Sequence, residues 1–105
     1  MTLIIETQKS PQSSIIKVEG EVDLYTSPKL RSEILNAVLA AEAEVLIDLS
    51  EVEYMDSSGV ATLVEGFKGA RENAKTFKLI APSQAVMKVL ELAKLDSIFE
   101  ISPTL

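Results

Sequence analysis

Hydrophobic positions change their period several times along this chain, and each change predicts an element. Leu3 to Thr7 and Ser14 to Val18 are short β-branched runs separated by the polar Lys9-Ser10-Pro11-Gln12-Ser13. They predict two strands joined by a turn. Gly20-Glu21-Val22-Asp23 then predicts a break in the second strand. Thr26-Ser27-Pro28 predicts a helix start, with Ser27 as the cap and Pro28 at the first helical position, where its missing N–H costs nothing. Leu30, Ile34, Val38 and Ala41 follow at i, i+4, i+8 and i+11, one stripe of an amphipathic helix.

Val45-Leu46-Ile47-Asp48-Leu49 predicts a strand buried on both faces, with Asp48 its one polar interruption and acidic loop residues after it. Asp48 is read as structural, capping or pairing at the strand end. A helical pattern runs from Gly59 to about Arg71, with Val60, Leu63, Val64 and Phe67 inward. Thr76 to Ala81 predicts another strand. Pro82-Ser83 opens a third helix with Val86, Val89, Leu90 and Ala93 on its buried side. Ile98 to Ile101 predicts a last short strand. Strands alternating with helices imply parallel crossovers. The expected fold is therefore one α/β domain over residues 1–105, a mixed, mostly parallel sheet of about five strands with three to four helices.

Length and composition narrow the chemistry. A chain of 105 residues suits one domain, and 47% hydrophobic residues suit a compact core. No apolar run approaches the ~20 residues that cross a bilayer, so membrane insertion is not expected. The Met1-Thr2-Leu3-Ile4-Ile5-Glu6 start lacks a signal peptide's basic flank and cleavage site, which makes the cytoplasm the expected location. Cysteine and histidine are both absent. That removes thiol nucleophiles, thiolate metal sites and every Ser-His-Asp arrangement. No cofactor is implied. Sixteen acidic against ten basic residues give a net charge of −6, and no Lys/Arg cluster offers a phosphate-backbone surface, so nucleic acid is not an expected partner.

One stretch exceeds what structure requires. Asp56-Ser57-Ser58-Gly59 stands where the strand after Val45 hands over to the second helix. A helix start needs one capping hydroxyl, and here there are two. In the plain account one Ser caps, the other is solvated, and Asp56 offsets the helix dipole. Two neighbours argue for more. Parallel pairing would bring the Gly20-to-Asp23 loop beside the pair, and Tyr54, Met55 and Val60 would leave apolar surface around it. Open α/β sheets gather functional groups at such strand-to-helix junctions.

At this point the chain resembles the STAS domain family, specifically the small free-standing anti-sigma-factor antagonists of bacteria. The likeness spans essentially all 105 residues. It rests on Gly20-Glu21-Val22-Asp23, Val45-Leu46-Ile47-Asp48-Leu49-Ser50, Tyr54-Met55-Asp56-Ser57-Ser58-Gly59-Val60, and Pro82-Ser83 opening the third helix. The resemblance implies that Ser57 is phosphorylated by a serine kinase of the histidine-kinase-like ATPase fold that doubles as the anti-sigma factor. The unphosphorylated form then binds the kinase, and a PP2C-type phosphatase resets the switch. Ser58 is the secondary candidate. Asp23 matches a position beside the phosphoserine, and the expected partner-binding set is Glu21, Asp23, Thr26, Met55, Asp56, Ser58, Gly59 and Val60.

Two other accounts stand beside this one. Relatives also serve as scaffolds of stressosome type or as subunits of a phospholipid-transport ABC system. An enzyme with Ser57 as nucleophile would need a Lys or carboxylate base. Lys29 and Lys68 both fall on predicted helices away from the junction, and no phosphate-cradling Gly-rich loop with Lys occurs, so no enzyme is expected.

Overall fold

The computed structural model describes residues 2–105. Five strands and three helices follow the chain as β1 (Leu3–Lys9), β2 (Ser13–Val22), α1 (Ser27–Leu39), β3 (Glu44–Met55), α2 (Ser57–Glu72), β4 (Thr76–Ile80), α3 (Gln84–Leu92) and β5 (Glu100–Ser102). All strands join one sheet in the order β1-β2-β3-β4-β5. The β1–β2 pair is antiparallel, and the other three pairs are parallel. The expected mixed, mostly parallel α/β domain is what the chain forms.

Each helix carries the chain from one parallel strand to its neighbour in the same direction. Right-handed crossovers therefore lay all three helices on one face of the sheet. Beneath them Ile16, Val18, Val45, Ile47, Leu49 and Leu79 are buried with Leu30, Ile34, Leu63 and Leu90 of the helices. Phe67, Phe77 and Phe99 form an aromatic group at the β4–β5 end, with Phe67 and Phe99 edge-to-face at 5.7 Å between centroids.

Several expectations are corrected. Gly20 does not break the second strand. It takes φ of +107°, open to glycine but not to side chains, and β2 continues through a register shift to Val22. A Cβ there would collide with the Thr2 carbonyl. The residues after Leu49 are not loop either, because β3 runs on to Met55 and pairs Tyr54 with Glu21 and Met55 with Val22. Asp48 therefore lies within a strand, where its Oδ1 accepts from the Ser50 amide and hydroxyl.

Helix boundaries moved for local reasons. Ser27 is the first helical residue rather than the cap, so Pro28 lies second. α1 ends at Leu39, which puts Ala41 in the exposed loop and leaves Ala37 to complete the buried stripe. Ala93 is exposed at the end of α3. Ser83 does open α3: its Oγ accepts from Val86 N and donates to the Val52 carbonyl, tying the helix to β3.

Candidate functional site

The second helix starts at Ser57, two residues earlier than its apolar pattern suggests, because Asp56 supplies the cap. Asp56 has extended backbone, and its Oδ1 accepts the Ser58 amide at 2.9 Å. Its carbonyl accepts the amides of Gly59 and Val60. A carboxylate in this position meets both the unpaired amides and the positive end of the helix dipole. The expectation that one serine caps is thus corrected. Among the described residues neither seryl hydroxyl makes a hydrogen bond; Ser57 is exposed and Ser58 half-buried. Thr62 beneath them donates its hydroxyl to the Ser58 carbonyl.

The sheet fixes this turn in place. Asp56 N donates to the Val22 carbonyl at 3.1 Å, extending the β2–β3 pairing into the loop. Gly59 packs so closely that an added Cβ would lie 2.6 Å from Met55 Cγ and 2.9 Å from Val22 Cγ1. Met55 and Gly59 are both buried, so they support the surface from beneath rather than present it. Val60 is buried as well, and its edge borders a cleft described below.

The β2–α1 loop arrives beside this turn, as the parallel pairing of Val22 with Met55 requires. Asp23 is only 7% exposed and organises it. One oxygen, Oδ1, accepts the amides of Tyr25 and Thr26, both at 2.9 Å. Thr26 Oγ1 accepts Asp23 N and donates to the Glu21 carbonyl at 2.8 Å. The Asp23 carbonyl accepts Ser27 N and begins α1. The Thr26 amide, helped by that of Tyr25 and opposed by burial, holds the Asp23 carboxyl below its ordinary value. The Asp-x-x-Thr spacing is a turn signal that could have revealed this clamp.

Ser57 also opens onto a cleft of about 830 Å³ between α2 and α3. Along α2 its lining residues Ser57, Val60, Ala61, Val64 and Lys68 recur at helical spacing, and Val60, Ala61 and Val64 make a short apolar stripe between the polar Ser57 and Lys68. Val89, Leu92, Ala93 and Leu95 form the opposite wall, and Leu92 is 76% exposed. At the rim Arg31 Nε meets Glu65 Oε1 at 2.5 Å, and that contact lowers the Glu65 carboxyl. Lys68 makes no ion pair among the described residues. It stands eleven residues beyond Ser57, roughly 16 Å along the helix axis, too far to act as its base. The sequence reading did not single out Ala61, Leu92 or Leu95 as surface, because a pattern does not say which apolar stripe the sheet will cover.

An α/β fold with its helices on one face of the sheet and a serine-bearing turn at the start of its second helix is the arrangement of a STAS domain. The model of that family described as "Mlab, STAS domain" matches residues 5–101, and the chain belongs to the STAS domain family. Within it, the anti-sigma-B factor antagonist of Listeria monocytogenes is 38% identical over 103 residues, covering 96% of this chain and 90% of that protein. A solved anti-sigma factor antagonist from Mycobacterium paratuberculosis superposes with a TM-score of 0.89 at 28% identity, over 99% of this chain and 88% of that one. The phosphorylated form of the Bacillus cell fate determinant SpoIIAA superposes with a TM-score of 0.74 over 98% of this chain and 92% of that one. At 22% identity that likeness is one of fold. The family supported by these matches is that of the anti-sigma-factor antagonists, which are regulatory binding proteins. No helix among the described residues is long and apolar enough to cross a membrane.

Proposed function

We propose that this chain is a phospho-switched anti-sigma-factor antagonist, in which the unmodified form binds a serine kinase that is also the anti-sigma factor. Phosphorylation of Ser57 then releases that partner. The observation that carries the reading is the exposed, unbonded Ser57 hydroxyl at the first position of α2, freed by the Asp56 cap. A hydroxyl tied up as a cap would have to break that bond to reach a kinase active site; this one does not.

Electrostatics then explain how modification acts. A phosphoryl group adds roughly −1.5 to −2 charges and three acceptor oxygens. The helix N-terminus tolerates an anion, so the fold survives. A partner buried against this face does not tolerate it as well. The dianion would sit beside Asp56 and near Asp23, where desolvation and like-charge repulsion add together. A loss of only ~3 kcal/mol lowers affinity about a hundredfold. The apolar cleft that starts at Ser57 supplies the neighbouring contact area. A PP2C-type phosphatase is the expected resetting enzyme. Ser58, half-buried, is the secondary acceptor.

Incubation with the cognate ATPase-fold kinase and ATP, followed by peptide mapping, tests the reading. Phosphate on Ser57 and loss of kinase binding are expected; phosphate confined to residues outside 56–59 overturns it. A second reading, a STAS subunit of another assembly such as a stressosome-type scaffold or a phospholipid-transport system, rests on the STAS family match over residues 5–101 alone. It predicts stable complex formation that is indifferent to Ser57→Asp.

A further inference from the structure

Leu24 and Tyr25 lie at the tip of the β2–α1 loop and are 67% and 88% exposed. Isolated exposed apolar residues are ordinary on protein surfaces. Here two stand side by side, and the backbone beneath them is held from both flanks. Tyr25 N donates to Asp23 Oδ1, Thr26 N to the same oxygen, Thr26 Oγ1 to the Glu21 carbonyl, and Ser27 N to the Asp23 carbonyl. The loop therefore cannot easily fold its side chains back against the domain. A large aromatic ring presented on a fixed backbone loses little freedom on binding, which is why tyrosine recurs at energetic centres of interfaces.

We propose that Leu24 and Tyr25 are the anchor pair by which the serine kinase recognises this chain, held ready by the Asp23–Thr26 clamp. This rests on the reading of Ser57 given above and names the contact that brings the kinase to it. Continuity favours that partner: Asp56 N donates to the Val22 carbonyl, so the loop and the Ser57 turn leave adjacent strand ends. The receiving surface is an apolar pocket with a polar group for the phenol. Basic residues around it complement Glu21, Asp23 and Asp56. Among the described residues no hydrogen bond reaches Asp23 Oδ2, which leaves that oxygen to face such a cation.

Calorimetry with the kinase that phosphorylates this chain tests the proposal. Tyr25→Ala should weaken binding about thirtyfold, the fold-change that ~2 kcal/mol corresponds to at an interface centre. Tyr25→Phe should retain most of the affinity, and both variants should keep the wild-type circular dichroism spectrum. In an Asp23→Ala background, where the clamp is gone, Tyr25→Ala should lose much less, so the two changes are not additive. Wild-type affinity for Tyr25→Ala, with Ser57 still phosphorylated, overturns the anchor and leaves the phospho-switch standing. Full additivity removes the clamp from the account. A dimer that Tyr25→Ala converts to monomer in sedimentation, with kinase affinity unchanged, assigns the loop to a second copy instead. A kinase that neither binds nor modifies the wild-type chain overturns both.

Discussion

Asp56 Oδ1 accepts the amide of Ser58 at 2.9 Å, and that one bond decides what the hydroxyl next door can do. With a carboxylate capping α2, Ser57 is left exposed and uncommitted at the positive end of the helix. Cap and proposed phosphoacceptor are adjacent residues with separate duties.

Removing the cap should show in stability. Asp56→Ala is expected to lose about 1 kcal/mol, the usual cost of truncating an N-cap, while Asp56→Asn loses far less because an amide oxygen still accepts. Urea denaturation midpoints at constant m-value measure the difference. Equal midpoints for Asp56→Ala and wild type would show that another group caps the helix.

Ser57 should behave in the opposite way. Its hydroxyl makes no hydrogen bond among the described residues, so Ser57→Ala should leave stability within about 0.5 kcal/mol of wild type. The same variant should bind the kinase without being released by ATP, whereas Ser57→Asp should bind weakly from the outset. Titration of both variants against the kinase separates them, and indistinguishable affinities would end the switch model.

Close packing makes Gly59 a sensitive position. A methyl group there meets Met55 Cγ at 2.6 Å and the stiffer Val22 at 2.9 Å. Overpacking of this kind costs roughly 1–3 kcal/mol, so Gly59→Ala should unfold at lower urea even though alanine favours helices. Gly66, backed by Ile34 Cγ2 at 2.6 Å and by Phe77, should respond similarly. A Gly59→Ala protein as stable as wild type would mean that the β3–α2 turn shifts freely, contrary to its fixed position here.

Acid should loosen the β2–α1 loop through Asp23. Its carboxyl lies below the ordinary 3.8 in the folded chain, chiefly because the Thr26 amide donates to the charged form. A depressed acid group stabilises the fold above its unfolded value and loses that contribution as pH falls through the folded one. The loss should therefore begin near pH 3.8 and grow below it. Glu65, lowered by Arg31, contributes in the same direction from about 4.5 downward. Asp23→Asn keeps the accepting oxygen and removes the titration, so its stability should fall less steeply with acid. Chemical denaturation between pH 5 and pH 3 gives both slopes, and parallel slopes would remove Asp23 from the effect.

Much of this molecule is legible in its residues. Periods of two and near four, with Pro and Gly punctuation, gave every strand and helix and their order, because burial of alternating or helical stripes is a local demand. They also placed an unusual serine pair at a strand-to-helix junction. They did not reveal that β2 passes through Gly20 or that β3 continues through the acidic Ser50–Glu53 stretch, since pairing between distant segments held those residues extended despite weak local preference. The division of labour at α2 was equally hidden: Asp56, Ser57 and Ser58 are all competent caps, and the Val22–Asp56 hydrogen bond sets which one faces the amides.

The amino-acid order by itself determined an α/β domain with a hydroxyl pair at the mouth of its second helix, because those features follow from side-chain chemistry read locally. Only the tertiary structure decided that Ser57 is open while Met55 and Gly59 are not, and that the Asp23 loop holds Leu24 and Tyr25 outward beside it. Exposure is a property of what packs against a residue, and here the packing elements lie some thirty residues apart in the chain.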